Sequence, residues 1–250
     1  LIPAGFFLDS FRQLESERSA RALQTLQERL DSEFDHLRTN LVTWAYWDDA
    51  YQAMLRMTPA FISSNLSEPS IFDFGMNFIL FVDRKGNIKL GRHYDLEKGK
   101  RLSMPTRLPE FVKSNPAFWN TSPTTFTKGL ASFNDKIYFL AALPILTGEK
   151  KGPPSGTLIF GRLLSKKFVS ELARKTSFEI ELVRPDAPAP HSHQTTLIDV
   201  PLQSIEGPIL GVIRASFPQT ILAQGLASLK TLTAWLWLAG ATGARVPLSP

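Results

Sequence analysis

Apolar residues in the first fifty positions recur at the spacing of one helix face. Five of them stand seven positions apart, at Leu23, Leu30, Leu37, Trp44 and Tyr51. A neighbouring stripe consists of Leu26, Phe34 and Leu41. Because residues three, four and seven positions apart lie on one side of an α-helix, the pattern predicts one long helix from about Phe7 to Tyr51 with a continuous apolar face.

Farther along the chain, short apolar runs bounded by turn residues predict strands. Residues 77–82 and 88–94 flank a turn at 83–87 and predict a β-hairpin. The other predicted strands are residues 124–127, 136–146, 157–163, 178–183, 195–202 and 209–216. Short helices are predicted within residues 60–69, at 108–113, from Ser165 to Lys175 and from Pro218 onward. The polar, Pro-rich stretch 95–127 predicts an excursion away from the sheet.

Both ends of the chain are apolar, over residues 1–8 and 234–240. Neither run reaches the roughly 20 apolar residues of a membrane-spanning helix. We interpret them as the ends of two membrane helices, with Trp235 and Trp237 in an interfacial belt, and exposed or docked terminal helices are the alternative. The predicted organisation is a membrane-proximal stub and helix start at 1–19, a folded domain at 20–217, an exit helix at 218–240 and a tail at 241–250.

The order of these elements predicts the fold class. Antiparallel strands with helices on one side make an α+β domain. We expect the long N-terminal helix to pack on the antiparallel sheet, and the C-terminal exit helix to leave beside it on one membrane face. That geometry is typical of a sensor loop between two membrane spans.

Composition removes several function classes. A chain of 250 residues that is 43% hydrophobic can bury a large core. The absence of Cys excludes disulfides, thiolate nucleophiles and Cys-based metal sites. The net charge is +5, but basic residues are scattered among acidic ones, which argues against a nucleic-acid-binding face. The histidines lack helical metal-binding spacing, and the sequence has no nucleophile elbow or phosphate-binding glycine loop. We therefore expect no catalytic residue, metal or cofactor.

The motif Trp44-x-x-Trp47-Asp48-Asp49, followed by the strand-turn-strand pattern from Asn77 to Gly86, resembles the CHASE4 domain. CHASE4 is an extracytoplasmic sensor module of bacterial and archaeal signalling proteins, similar to Cache and PAS-like sensors. The likeness covers roughly residues 20–183. It implies that residues 20–217 form a periplasmic sensor domain with a PAS/Cache-like sheet. It also implies a receptor in the inner membrane whose output is a diguanylate cyclase, a cyclic-di-GMP phosphodiesterase or a histidine kinase.

The same motif contains the first candidate ligand site. Asp48 and Asp49 stand beside the rings of Trp44, Trp47 and Tyr51, a combination that can hold a cationic group with about 0.5–2 kcal/mol of cation–π stabilisation. In the alternative interpretation the carboxylate holds backbone amides of the following loop and the rings fill the core. A hydrolytic carboxylate pair is disfavoured, because adjacent helical residues point about 100° apart.

Four further candidate ligand-binding residues lie on predicted strands, at Arg92, Tyr94, Tyr138 and Arg162. We expect a small ligand between helix and sheet to displace the first and last helices relative to each other. A non-catalytic protein-interaction domain is the alternative function, and an extracytoplasmic hydrolase is a third. The heptad stripe also predicts a parallel homodimer through the N-terminal helix.

Overall fold

A computed structural model of the chain describes residues 4–176, 178–190, 195–218 and 231, without the side chains of residues 4–8 and 68–70. Its helices are α1 (Ala4–Ala45), α2 (Asp48–Leu55), α3 (Pro59–Asn65), α4 (Glu68–Asp73), α5 (Leu108–Ser114) and α6 (Lys166–Thr176), with a 3₁₀ turn at Pro116–Phe118. Its strands are β1 (Phe78–Val82), β2 (Ile88–Asp95), β3 (Lys100–Leu102), β4 (Thr127–Phe133), β5 (Lys136–Ile145), β6 (Gly156–Leu163), β7 (Glu179–Val183), β8 (Thr195–Gln203) and β9 (Ile209–Pro218).

The strands form two antiparallel sheets. The larger sheet has the order β3-β2-β1-β6-β5-β4, and the smaller has the order β7-β9-β8. In the larger sheet β1 lies between β2 and β6, so that Leu80 stands opposite both Gly91 and Ile159. The predicted α+β class, with an antiparallel PAS/Cache-like sheet and a long N-terminal helix, is confirmed.

One face of the larger sheet is covered by α1. Leu26, Leu37 and Leu41 are fully buried there, and the ring of Phe34 meets that of Phe139 on β5 edge-on at 5.2 Å. Burying each such side chain stabilises the fold by about 1.5–3 kcal/mol. Packing against the sheet therefore accounts for this apolar stripe.

The opposite face is covered by the segment between β3 and β4. Leu108 and Val112 of α5, together with Phe118 of the 3₁₀ turn, are buried against a cluster that includes Phe78 and Leu80 of β1. Since β1 is covered on both faces, it carries five consecutive buried apolar residues rather than an alternating pattern.

The smaller sheet lies beside the N-terminal half of α1. Thr196 of β8 donates its hydroxyl to the carboxylate of Glu15, with 3.1 Å between Oγ1 and Oε1. The guanidinium of Arg18 lies 4.6 Å from the ring centre of Phe217 on β9. The long helix therefore contacts both sheets.

Helix α6, which the sequence predicts from Ser165 to Lys175, connects the larger sheet to the smaller one. Its N-cap, Ser165, accepts a hydrogen bond from the backbone N–H of Phe168 at 3.2 Å. The ring of Phe168 packs 5.5 Å from that of Phe139 on β5. Val169 and Leu172 are buried on the same helix.

The N-terminal helix is shorter than the sequence predicts. It ends at Ala45 rather than near Tyr51, because the backbone N–H of Leu146 donates to the Ala45 carbonyl at 2.9 Å. Tyr46 forms a short parallel bridge with Leu146, and Trp47 is extended, with φ −142° and ψ 130°. The chain leaves the helix to meet the end of β5, although the heptad spacing continues into α2.

Several other local predictions need correction or lie outside the described residues. The predicted strand at 124–127 is wrong, because β4 begins at Thr127 and continues to Phe133. The excursion at 95–127 returns to the sheet as edge strand β3, and α4 follows α3 where a loop was predicted. The exit helix and tail lie outside the described residues, apart from position 231. The domain boundaries at 19, 217 and 240 stay predictions.

Candidate ligand-binding cleft and helix junction

The aromatic residues of the motif at the α1–α2 junction lie between the core and the surface. Trp44 is 6% exposed and meets the rings of Trp47, Phe74 and Phe160 edge-on, with centroid distances of 6.3, 5.5 and 6.4 Å. Trp47 is half-buried and packs 6.0 Å from Phe61 of α3. Trp44 therefore fills the core, and Trp47 extends from the core toward the surface.

The acidic residues of the motif are exposed at the first turn of α2. Asp48 accepts a hydrogen bond from the backbone N–H of Gly148 at 3.0 Å. Tyr51 donates its hydroxyl to the carbonyl of Pro153 at 3.2 Å. Both side chains therefore hold the loop between β5 and β6, which corresponds to the structural alternative considered for the carboxylates. That Asp48 or Asp49 contacts a ligand stays a prediction.

Two open grooves flank α3 at this junction. Trp44 and Trp47 line one, of about 440 Å³, and Asp49 lines the other, of about 430 Å³. Ser64 and Asn65 of α3 line both grooves. The two tryptophan rings and the Asp49 carboxylate, predicted to share one pocket, therefore open onto different grooves. Asp48 and Tyr51, predicted for the same pocket, line neither groove.

A more enclosed cleft of about 320 Å³ lies at the opposite end of β5. It forms because β1 begins at Phe78, while β2 continues past it to Asp95 and β6 continues to Leu163. Helix α6 closes the cleft through Lys167, Phe168 and Glu171. The cleft therefore lies between the larger sheet and the helix that leads to the smaller sheet.

Three of the four strand candidates line this cleft, namely Tyr94, Tyr138 and Arg162. Arg162 forms an ion pair with Glu33 of α1, with 2.8 Å between Nη1 and Oε2. Arg92, the fourth, is not among the lining residues. Its guanidinium donates to the Gly91 carbonyl at 3.2 Å.

Asn77, at the base of the cleft, joins the two strands on either side of β1. Its Nδ2 donates to the carbonyl of Tyr94 at 3.1 Å, and its Oδ1 accepts from the backbone N–H of Leu163 at 2.7 Å. Asn77 is 6% exposed, so both hydrogen bonds are shielded from water. One position before β1 begins, the Asn77 side chain therefore supplies a donor to β2 and an acceptor to β6.

His93 contributes an oriented imidazole to the cleft. Its Nδ1 lies 2.7 Å from the carbonyl oxygen of Ser103, and the residue is 6% exposed. Since a carbonyl only accepts hydrogen bonds, Nδ1 carries a hydrogen, and in the neutral form of the imidazole Nε2 is an acceptor.

Tyr138 forms the neighbouring part of the cleft wall. It is 2% exposed, and its ring centroid lies 6.3 Å from that of His93. Burial, with a smaller contribution from the nearby Asp95 carboxylate, raises the pKa of the Tyr138 hydroxyl. The hydroxyl therefore stays protonated at neutral pH and can both donate and accept a hydrogen bond.

Sequence reasoning did not identify Asn77, His93 or Asp95 as site residues. The only local signal is that Asn77 is a polar residue next to an apolar strand; the strand order is what brings it between β2 and β6. A metal centre has no support in the part of the chain that the structure describes, where no three His, Cys, Asp or Glu residues cluster suitably.

The fold, a long N-terminal helix packed on an antiparallel sheet, is similar to that of two solved extracytoplasmic domains. It resembles the periplasmic domain of Vibrio cholerae LuxQ with a TM-score of 0.55 at 10% identity, over 80% of this chain and 98% of that one. It also resembles the extracellular domain of the putative histidine kinase vpHK1S-Z8, with a TM-score of 0.52 at 12% identity, over 88% of this chain and 95% of that one. None of the helices in the described ranges combines the length and apolar character needed to cross a membrane.

The chain belongs to the CHASE4 family, since the CHASE4 domain matches residues 29–183. It is also 25% identical over 229 residues to the methanogenesis regulatory histidine kinase FilI of Methanothrix harundinacea (strain 6Ac). That similarity covers 86% of this chain but only 25% of the length of the kinase. The chain therefore corresponds to a part of a larger relative.

Proposed function

We propose that the chain is the periplasmic ligand-sensing domain of a transmembrane receptor, with a histidine kinase as its output. The cleft carries the proposal, because it joins buried polar side chains to the helix that leads to the second sheet. Its volume of about 320 Å³ is that of a small-molecule site. CHASE4 membership and the similarity to FilI support the receptor assignment. Diguanylate cyclase or phosphodiesterase output has less support, because the matched curated relative is a histidine kinase.

The cleft contacts provide a route from ligand to helix. Arg162 lines the cleft and also binds Glu33 of α1, while Phe168 lines it from α6. A ligand that repositions either side chain changes how α1 and α6 pack, and thereby shifts the population of receptor conformations. A ligand that prefers one conformation 100-fold supplies about 2.8 kcal/mol, because each tenfold preference is worth about 1.4 kcal/mol.

The test is a thermal-shift screen of this domain with a metabolite library, followed by autophosphorylation of the full-length receptor in membrane vesicles. We expect at least one compound to raise the melting temperature by several degrees and to change kinase activity. Glu33→Gln should reduce the kinase response even at saturating ligand, because it weakens the link from Arg162 to α1. Glu28→Gln, exposed on the same helix, is the matched control. A library with no stabilising compound contradicts the sensing proposal.

The helix junction is the second candidate ligand site. If Asp49 contacts the ligand, Asp49→Asn abolishes the ligand-induced thermal shift without changing apo stability. Asp48→Asn should instead lower apo stability by about 0.5–1.5 kcal/mol, because it weakens the hydrogen bond to Gly148. Normal ligand binding by both variants removes this site from consideration.

A protein-interaction domain is the alternative function, favoured by the open grooves beside α3. Trp47 is half-buried there, and tryptophan often dominates protein interfaces. Trp47→Ala would then abolish capture of a periplasmic partner on the isolated domain, and no small ligand would be found. A partner-independent response of the receptor to a small compound contradicts this alternative.

Homodimerisation through α1 also belongs to the proposal. The sheet already buries Leu37 and Trp44, whereas Leu23 and Leu30 are half-buried and Leu14 is 45% exposed. A dimer interface on the apolar stripe of α1 would therefore use the part of the helix before Leu37. We expect a cysteine at an exposed position of that part of α1 to cross-link the receptor in membranes. A strict monomer in ultracentrifugation, together with no cross-link, rules the dimer out.

A further inference from the structure

We infer that the cleft binds the ammonium group of a small organic ligand, held between the buried pair His93 and Tyr138 and the acidic side chains Asp95 and Glu171. The inference rests on the proposed sensing function and names the ligand class that this function leaves open. Amines and amino compounds are the chemistry that these side chains fit.

The first observation is that two buried residues of the cleft wall, His93 and Tyr138, each turn a polar atom without a partner among the described residues toward the open cleft. Within the described ranges, the hydroxyl of Tyr138 makes no hydrogen bond, although the residue is 2% exposed. His93 is 6% exposed, and its Nδ1 donates a hydrogen bond to the Ser103 carbonyl. In the neutral form of the ring, Nε2 is then an acceptor for a ligand. Both residues line the cleft, so a ligand donor placed there would satisfy two acceptors at once.

The second observation is the distribution of charge. Asp95 and Glu171 are half-buried cleft residues, whereas Lys136 and Lys167 are exposed. The half-buried guanidinium of Arg162 is neutralised by its ion pair with α1. Asp95 Oδ1 accepts hydrogen bonds from two backbone amides of the following turn, both at 3.1 Å. Its Oδ2 stays available to accept a hydrogen bond from a ligand. The partly desolvated, uncompensated charge of the cleft is therefore negative.

These two observations favour an ammonium group over an anion. An ammonium group donates up to three hydrogen bonds and compensates the acidic charge. An anion would be placed against the two half-buried carboxylates, at a cost in desolvation and repulsion. The exposed lysines can keep their charges in water beside either ligand.

Matched pairs of compounds test the inference directly. We would measure binding by isothermal titration calorimetry with alanine against lactate, and with putrescine against 1,4-butanediol. Within each pair, the second compound has a hydroxyl wherever the first has an amine. We expect an amine to bind at least tenfold more tightly than its hydroxyl counterpart. Tighter binding of lactate than of alanine, reduced by Lys167→Ala, would overturn the inference while leaving the sensing function intact.

Two variants locate the amine in the cleft. Asp95→Asn keeps the acceptor for the backbone amides but removes the charge, and Tyr138→Phe removes only the hydroxyl. Each should weaken amine binding at least tenfold with an unchanged apo melting temperature. Asp186→Asn, which alters only an exposed ion pair with Arg184, is the matched control. Amine binding that neither variant weakens overturns the site. If no panel compound binds, the inference fails, and the library screen decides separately whether the sensing function fails too.

Discussion

Asn77→Ala is the most direct test of how the cleft is built. The substitution removes the hydrogen bonds from Nδ2 to the Tyr94 carbonyl and from the Leu163 amide to Oδ1. The backbone bonds of residue 77 to Gly161 and Tyr94 do not depend on the side chain and should persist. The experiment therefore isolates the link across the end of β1.

The expected loss follows from these two contacts. Each hydrogen bond contributes about 0.5–1.5 kcal/mol net, and a buried group left without a partner costs about 1–3 kcal/mol. The adjacent cleft can admit water to one of the two orphaned groups, which reduces the penalty. We therefore expect the free energy of unfolding to fall by about 2–4 kcal/mol. For a chain of this size each kcal/mol lowers the melting temperature by about 2–4 °C.

Urea denaturation followed by far-ultraviolet circular dichroism measures this change. Asn120→Ala is the matched control, because Asn120 is exposed and its side chain makes no hydrogen bond to the described residues; its effect should stay within about 0.5 kcal/mol. Asn77→Asp retains the acceptor but replaces the donor with a second oxygen facing Tyr94, so it should destabilise at neutral pH and recover partly in acid. A loss below about 1 kcal/mol for Asn77→Ala would refute the bridging role.

Two further predictions concern the larger sheet. Gly161→Ala places a Cβ 1.9 Å from Cε2 of Phe78. This substitution should lower the free energy of unfolding, measured by urea denaturation, by about 1–3 kcal/mol or more. Gly148→Ala, with a nearest contact of 3.4 Å, should leave it nearly unchanged. Equal losses for the two variants would contradict the steric argument. At Asp83, burial raises the carboxyl pKa, but hydrogen bonds from Asn87 and the neighbouring backbone amides outweigh it, so the net folded-state pKa is lowered. The stabilisation by Asp83 is therefore present above the unfolded pKa of about 4 and is lost as pH falls through the folded value. Asp83→Asn should make the free energy of unfolding fall less steeply in acid. An unchanged dependence on acid pH would exclude this role.

Local sequence patterns determined most of the secondary structure. The helix stripe, the hairpin at 77–94 and the capped helix after Ser165 depend on contacts between near neighbours in the chain, which periodicity and turn residues record. The same patterns indicated Tyr94, Tyr138 and Arg162, because each lies on a recognisable strand. Family membership was also recognisable from a short motif and the strand pattern that follows it.

Only the tertiary structure decided where helices end and which side chains meet. The heptad spacing passes through Trp47 without interruption, and the break at Ala45 depends on a hydrogen bond from Leu146, 101 positions away along the chain. The cleft depends on the position of β1 between β2 and β6. This strand order brings together four residues that are far apart in the chain, namely Asn77, His93, Tyr138 and Arg162. Strand order is a property of long-range pairing and of the packing on both sheet faces, so no local pattern around Asn77 or His93 could reveal it.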